Sequence, residues 1–244
     1  TSSLNTIGSY ASQSLGGGVR FGLPIAEDDY VSAGLSLDST RLKMNSTSPA
    51  IYQKYVNEFG ETNTTTLATA GWLKETIDSR LYPTKGGSNR LVGELGLPAG
   101  KMGTLRYYRA TYQRQEFIPM PWSRNTSLLL NGEFGYAKGY GGNTLPFFKN
   151  FYAGGIGSVR GYDSGSLGPV VTDAFGNESR LGGNRRVVGN AELLFPMPGS
   201  GLDKSVRLGA FIDGGQVWGQ SDKMSFGDLR YSMGVSLAWS SPMG

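Results

Sequence analysis

An arginine between glycines stands out in the middle of this 244-residue chain. It is Arg160, in the segment Phe151–Tyr162, which reads FYAGGIGSVRGY. The guanidinium is always charged, and its planar fork can bind two carboxylates at once. Glycine permits turns and close backbone approaches that other residues resist. Such a segment is suited to fold inward and to hold one cation against acidic partners. The candidate residues around the arginine are Gly154, Gly155, Val159, Gly161 and Tyr162.

Two carboxylates are the candidate partners of this cation. Glu192 and Asp213 lie on the polar faces of the next two predicted strands. Opposed residues on antiparallel strands are ~4.5–5.5 Å apart, and two carboxylates that close repel each other unless a cation lies between them. Arg160 could supply this cation, which would lock the loop to the two predicted strands. The residue spacing alone leaves open that Arg160 is a solvated loop arginine and that both acids are unrelated to it.

Other residues offer little for catalysis. The chain has no histidine, which removes the commonest general base and metal ligand, and no cysteine, which excludes a disulfide and a thiolate metal site. Ser158 lacks the Gly-x-Ser-x-Gly spacing of a hydrolase. The acidic run Glu27–Asp29 has oxygen ligands for a cation, but acidic residues are also common in tight turns. We therefore expect no enzyme, no catalytic residue, no cofactor and no metal.

The elements that must position these residues are strands. Apolar and polar residues alternate through most of the chain, which is typical of β-structure. The clearest apolar face is Tyr231, Met233, Val235, Leu237 and Trp239. Its aromatic ends are typical of membrane strands, whose rings lie at the headgroup level. The alternation predicts nine strands, centred on residues 15–23, 31–38, 68–72, 90–97, 107–113, 127–136, 187–195, 207–213 and 231–239.

The connections between the strands are of two lengths. Short ones are predicted at 24–29, 98–103, 119–125 and 196–204, and long ones at 43–63 and 137–185. No helix of more than a turn or two is expected, and residues 51–59 are the best candidate for one. Short turns at one end and long loops at the other are typical of outer-membrane barrels. The predicted fold is therefore all-β, a transmembrane antiparallel up-and-down β-barrel of the bacterial outer membrane. Alternation by itself also fits a soluble sandwich.

Several motifs resemble those of the BamA-type outer-membrane β-barrel assembly proteins. Residues 159–162 (VRGY) match the motif of the family's long loop, and residues 147–155 (FFKNFYAGG) resemble the lead-in to it. Residues 191–196 (AELLFP) and 211–218 (FIDGGQVW) resemble the two strands that follow. Residues 81–86 (LYPTKG) also resemble the family. VRGY alone is a weak signal, but these motifs in this order are specific, and the resemblance covers most of the chain.

The resemblance implies a sixteen-stranded barrel, of which about nine strands are present. Residues 1–244 would be part of this single outer-membrane barrel domain, with the VRGY motif in a long loop at about 137–185. In the family the loop arginine contacts acids of the next two strands, which by motif match are Glu192 and Asp213. We expect the N-terminal POTRA domains and the barrel's terminal strands to be absent from this chain.

The resemblance also implies a function, which is to help fold and insert β-barrel proteins into the outer membrane. The implied partners are unfolded β-barrel client proteins, outer-membrane lipids and the lipoproteins of an assembly complex. No nucleic acid is expected, because the net charge of +4 comes without a basic helix or stripe. One alternative is a two-partner secretion or translocation-and-assembly pore, which shares the loop arginine. A passive porin is another, but it would need an acidic constriction loop.

Overall fold

The computed structural model describes residues 2–7, 10–44, 48–98, 105–172, 178–198 and 206–239. The structure has one α-helix in these ranges, α1 (Ala50–Phe59), which follows the third strand along the chain. The strands are β1 (Ser2–Ile7), β2 (Tyr10–Pro24), β3 (Asp29–Met44), β4 (Thr62–Glu75), β5 (Gly86–Leu97), β6 (Tyr107–Met120), β7 (Ser123–Gly139), β8 (Val170–Thr172), β9 (Glu178–Arg180), β10 (Arg185–Pro196), β11 (Val206–Trp218) and β12 (Arg230–Trp239).

Ten of these strands form one antiparallel sheet with up-and-down connectivity. The order is β1 to β7, then β10, β11 and β12, while β8 and β9 pair separately as a small hairpin. All nine predicted strands are present. The strand β1 was not predicted, because its sequence SSLNTI is mostly polar and offers little alternation. Within the described ranges β1 and β12 do not pair with each other, so the sheet is open there.

The apolar residues of the alternating pattern share one face of the sheet, here called the outer face. On β12, Met233 is 81% exposed and Val235 is 87% exposed. Phe21 on β2 and Leu35 on β3 are exposed in the same way. A large contiguous apolar surface is unfavourable in water but is solvated by lipid chains. The outer face thus has the pattern of a lipid-facing barrel wall.

The opposite face, here called the inner face, is polar and carries ion pairs between neighbouring strands. Arg109 on β6 lies 3.6 Å from Glu94 on β5. Arg186 on β10 lies 3.1 Å from Glu133 on β7. Alternation of lipid-facing apolar residues with charged inner residues is the arrangement expected for a barrel with a hydrated interior.

The two ends of the sheet differ in their connections. Within the described residues, one end, the loop end, carries residues 48–61, 98, 105–106, 140–172, 178–184 and 219–229. The other, the turn end, carries residues 25–28, 76–85, 121–122 and 197–198. The connection predicted at 98–103 therefore belongs to the loop end, because β5 runs towards that end. Residues 99–103 of it, and residues 199–204 of the connection predicted at 196–204, lie outside the described residues.

Helix α1 covers part of the loop end. It coincides with the candidate at 51–59, but its 10 residues make it longer than the turn or two expected. Its buried residue Tyr52 stacks on Phe147 of the long loop, with ring centroids 4.0 Å apart. Tyr10 of β2 meets both rings edge-on. This aromatic cluster joins the helix, the loop and the wall, which brings the long loop back over the inner face. None of the helices in the described ranges is long and apolar enough to cross a membrane.

Candidate functional site

The long loop, residues 140–184, returns over the inner face and is closed by its own backbone contacts. Phe151 forms a β-bridge with Gly183, with N–H···O distances of 2.7 and 2.9 Å. A second bridge joins Ala153 to Leu167. A segment that leaves bulk water needs such partners for its backbone polar groups. The bridges therefore give the loop a defined shape next to the wall.

The predicted glycines have backbone conformations that other residues disfavour. The φ angles are +108° at Gly154, +93° at Gly155 and +84° at Gly161. This is the left-handed half of conformational space, where a Cβ atom causes strain. A Cβ at Gly154 would also collide with the carbonyl oxygen of Asp163. The turns at these glycines direct the side chain of Arg160 towards the wall.

Arg160 contacts both predicted carboxylates. Its Nε and Nη2 donate to Oδ2 and Oδ1 of Asp213 at 2.7 and 2.8 Å. Its Nη1 donates to Oε2 of Glu192 at 2.7 Å, and its backbone N–H donates to Asp213 at 3.0 Å. The structure thus brings these three residues together. The paired bonds to Asp213 use the planar fork of arginine, which lysine does not have.

The two acids are not opposite each other in the sheet. In the β10–β11 register, Asp213 pairs with Asn190 and Glu192 pairs with Phe211. The carboxylates are therefore diagonal neighbours, a relation that places residues ~7–8 Å apart. The expectation that the two acids lie close together used the spacing of directly opposed residues, and the register corrects that spacing. The wider gap suits a guanidinium, because its separate N–H groups can bind two acids that do not touch.

Several contacts keep the guanidinium charged and in place. Asp213 is fully buried, and a buried carboxylate without a partner would be costly. The hydrogen bonds to Asp213 raise the pKa of Arg160 above its ordinary value; partial burial opposes this rise and Glu192 adds to it. The guanidinium carbon also lies 3.6 Å from the centroid of the Phe211 ring, in a cation–π contact. Arg160 is therefore a permanent cation.

Apolar packing fixes the residue before the arginine. Val159 is fully buried against Val188 of β10 and Val217 of β11. The glycine at 215 makes room for it, since a Cβ atom on Gly215 would lie 2.8 Å from Cγ2 of Val159. The VRGY motif thus combines an apolar anchor with an ionic one on adjacent residues.

Three side-chain amides connect the wall to the loop. Gln113 donates to Asn131 at 3.0 Å, Asn131 donates to Asn190 at 2.8 Å, and Asn190 donates to the carbonyl oxygen of Ser158 at 2.7 Å. These amides come from β6, β7 and β10, and we call them the amide chain. Both asparagines accept one hydrogen bond and donate the next, so the amide chain connects β6 to the loop without a break.

Two further contacts extend the site to β12. The hydroxyl of Tyr162 donates to the backbone oxygen of Tyr231 at 3.2 Å. The hydroxyl of Ser236 donates to the second carboxylate oxygen of Glu192. The loop motif therefore spans three strands, β10, β11 and β12.

Sequence reasoning missed the supporting residues Asn190, Phe211 and Ser236. Their alternation with residues of known face places them on the inner side, which was a usable signal. What the sequence lacked was the register between strands, because two strands of known face can still slide by two residues. The sequence therefore does not show which inner-face residues lie beside each other on neighbouring strands.

The acidic run at 27–29 has a structural contact. Asp29 lies 3.3 Å from the ammonium group of Lys74. In the part of the chain that the structure describes, no group of three or more acidic residues is placed to hold a metal ion.

Comparisons with known proteins agree on one family. Residues 1–244 match the Omp85 superfamily domain. The chain is 37% identical over 272 residues to the outer membrane protein assembly factor BamA of Neisseria meningitidis serogroup B, which covers 98% of this chain and 34% of that protein. It is 28% identical to the BamA protein of Nitratidesulfovibrio vulgaris over 244 residues, covering 96% of this chain and 28% of that protein.

A solved structure has the same architecture. BamA from Haemophilus ducreyi lacking POTRA domains 1–3 superimposes with a TM-score of 0.83 at 27% identity, covering 96% of this chain and 49% of that chain. The chain thus spans about a third of the length of these curated relatives.

Proposed function

The chain belongs to the Omp85 superfamily, and on that premise we propose that the whole protein helps to fold and insert β-barrel proteins into the outer membrane. The observation that carries the proposal is the 37% identity, over 98% of the chain, to a protein named as an outer membrane protein assembly factor. The all-β, up-and-down wall and its fold similarity to a BamA barrel support it. The protein is located in the bacterial outer membrane.

The proposal includes the domain organisation. Residues 1–244 form part of one barrel domain, and the loop at about 137–185 folds into that barrel. One continuous ten-stranded sheet and the match of the full chain to a single family domain support this. The strand bounds limit the loop itself to residues 140–184.

The role of the Arg160 site is to lock the loop to the wall. Arg160, Glu192 and Asp213 form the ionic part of the lock, and Val159 forms its apolar part. Removal of one partner from a buried ion pair costs ~3–5 kcal/mol, because the remaining charge is left uncompensated. Gly154, Gly155 and Gly161 supply the turns, and Tyr162 ties the loop to β12. This brace spans three neighbouring strands and keeps that part of the wall in one shape.

The proposed activity requires a strand edge of the barrel with which a client strand can pair. An assembly factor must lower the cost of bringing unpaired strand edges into lipid, where each unsatisfied backbone group costs several kcal/mol. Pairing with a strand edge of the barrel removes that cost for the client. Nothing in this step requires catalytic chemistry or a cofactor. The proposed partners are unfolded β-barrel clients, outer-membrane lipids and the lipoproteins of an assembly complex.

The test is client folding in proteoliposomes that contain the full-length protein. An unfolded β-barrel client should reach its heat-modifiable folded form faster than in protein-free liposomes of the same lipids. A folded passive porin of another family, at the same density in the membrane, is the control. Equal client folding rates with the protein and with that porin would contradict the proposal.

A further inference from the structure

A second buried arginine lies towards the turn end of β11. Arg207 is 6% exposed and points to the inner face. Its Nη1 donates to the backbone oxygen of Pro83 at 2.9 Å, and its Nη2 donates to the hydroxyl of Ser127 at 2.9 Å. Its guanidinium carbon lies 4.1 Å from the centroid of the Tyr82 ring. Two hydrogen bonds and a cation–π contact therefore converge on this one side chain.

Its partners Tyr82 and Pro83 belong to a distant part of the sheet. They lie in residues 76–85, here called the strap, which connects β4 to β5. In the sheet, β11 is separated from β5 by β6, β7 and β10. With ~4.8 Å between neighbouring strands, this separation is roughly 19 Å along the wall. The strap therefore extends across the inner face and does not stay with its own hairpin.

Contacts along the way hold the strap against β7. The hydroxyl of Tyr82 donates to the backbone oxygen of Asn125 at 3.0 Å. The hydroxyl of Ser127 donates to the backbone oxygen of Pro83 at 3.4 Å. Ser127 itself is fully buried. The strap, the start of β7 and the start of β11 thus meet around Arg207.

Hydrogen bonds within the strap and at its base fix its conformation. Asp78 accepts hydrogen bonds from the backbone N–H and hydroxyl of Thr84, at 3.0 and 2.6 Å, and from the backbone N–H of Lys85 at 3.2 Å. Thr76 and Gly87 exchange two more at the base of the strap, at 3.2 and 3.1 Å. Local bonds therefore shape the strap, and Arg207 holds its far side.

We propose that Arg207 is a positioning residue that clamps the strap across the turn end of the barrel and so limits ion flow through the interior. The long loop covers the inner face from the loop end, and the strap covers it from the turn end. A polar interior conducts ions unless something blocks it, and two covers in series block it better than one. This inference requires only the barrel and not the assembly activity.

The test is ion conductance of the full-length protein in planar lipid bilayers. Arg207→Ala should raise the mean conductance several-fold, because the far side of the strap is released. Arg20→Ala is the matched control, since it also removes an inner-face arginine, exposed and on β2, without touching the strap. It should conduct like the wild type. Client folding in proteoliposomes is measured separately, so failure of this inference is distinct from failure of the proposed function.

A second variant covers the case in which Arg207→Ala does not fold. Tyr82→Ala keeps Arg207 and removes both the ring under the guanidinium and the hydroxyl that donates to Asn125, and it should also raise conductance. In a third variant, Pro83→Cys and Asn125→Cys, the latter at an exposed position of β7, are joined by a short bis-maleimide in the Tyr82→Ala background, which should restore the low conductance. Wild-type conductance in whichever folded variant is obtained, or no effect of the cross-link, would overturn the proposal.

Discussion

At the scale of single residues, Arg160 is held by complementary contacts that no other side chain can supply together. Two bonds to Asp213 require a planar fork, one bond to Glu192 requires a third N–H, and the contact with Phe211 requires a flat cation. Lysine could bind either acid but could not reproduce this geometry.

We therefore predict that Arg160→Ala lowers the free energy of unfolding by ~3–5 kcal/mol, because it leaves a buried carboxylate unpaired. Arg160→Lys should restore only part of this loss. Urea unfolding of the full-length protein in lipid vesicles measures both. Arg180→Ala is the matched control, since Arg180 lies in the same loop but pairs with Glu178 at an exposed site. Its effect should be at most ~1 kcal/mol.

Client folding adds a second readout for the same variants. If Arg160→Ala folds clients at the wild-type rate and is as stable as Arg180→Ala, the lock has no role.

A double-mutant cycle tests whether Arg160 and Glu192 act together. Glu192→Gln in the Arg160→Ala background should cost less than it does in the wild type, because the interaction is already lost. Residues in direct contact typically couple by ~0.5–3 kcal/mol. Unfolding free energies of the four proteins give this coupling energy, and strict additivity would mean that the residues act independently.

The residues of the site were easier to predict than their arrangement. Arg160, Glu192 and Asp213 were identified from motifs and from face alternation. The diagonal relation of the two acids was not, because it depends on which residue of β11 lies beside which residue of β10. The contribution of Gly215 depends on where Val159 docks, and that contact is long-range.

At the scale of elements, the strands were predictable and their connections less so. Period-two alternation has a strong physical cause, since one face meets lipid and the other does not. The hairpin β8–β9 escaped notice because three-residue strands carry too few residues to show a period. The strap escaped because its shape comes from side-chain bonds to Asp78, which no hydrophobic pattern reveals.

The strap should loosen in acid. Slight burial acts to raise the pKa of Asp78, but hydrogen bonds from Thr84 and Lys85 outweigh it, and the pKa lies below its ordinary value. A lowered folded-state pKa means that the carboxylate's stabilisation is complete above the ordinary value of ~3.9 and is lost as the pH falls through the folded value. Asp78→Asn should remove this dependence.

Hydrogen exchange at the amides of Thr84 and Lys85, corrected for the intrinsic effect of pH, measures the loosening. Protection should fall at acid pH in the wild type and stay level in Asp78→Asn. The same profile in both proteins would exclude Asp78 as the cause.

At the scale of the whole molecule, the outer face decides where the protein can fold. It carries large apolar side chains that are mostly exposed, such as Met233 and Val235 of β12. Lipid chains solvate such a surface and water does not. The inner face, by contrast, gains its order from loop, strap and ion pairs. Lipid contact therefore stabilises the outer side of the sheet, whereas hydrogen bonds and ion pairs stabilise its inner side.

Val235→Arg places a charge on the outer face near the middle of β12. We predict a loss of ~2–4 kcal/mol in the free energy of unfolding, the cost of arginine near the bilayer midplane. Met224→Arg is the control, because it makes the same kind of change in the connection between β11 and β12. Urea titration in vesicles should separate the two variants, and equal stabilities would mean that β12 does not face lipid.

The amide chain has a consequence for how the long loop could leave the wall. If Ser158 withdraws, the amide of Asn190 loses one of its acceptors, and the amide chain through Asn131 to Gln113 loses its contact with the loop. Detachment at one point would thus be felt two strands away, on β6. Release of the loop should therefore change the hydrogen bonding of the inner face beyond the strands that the loop itself contacts.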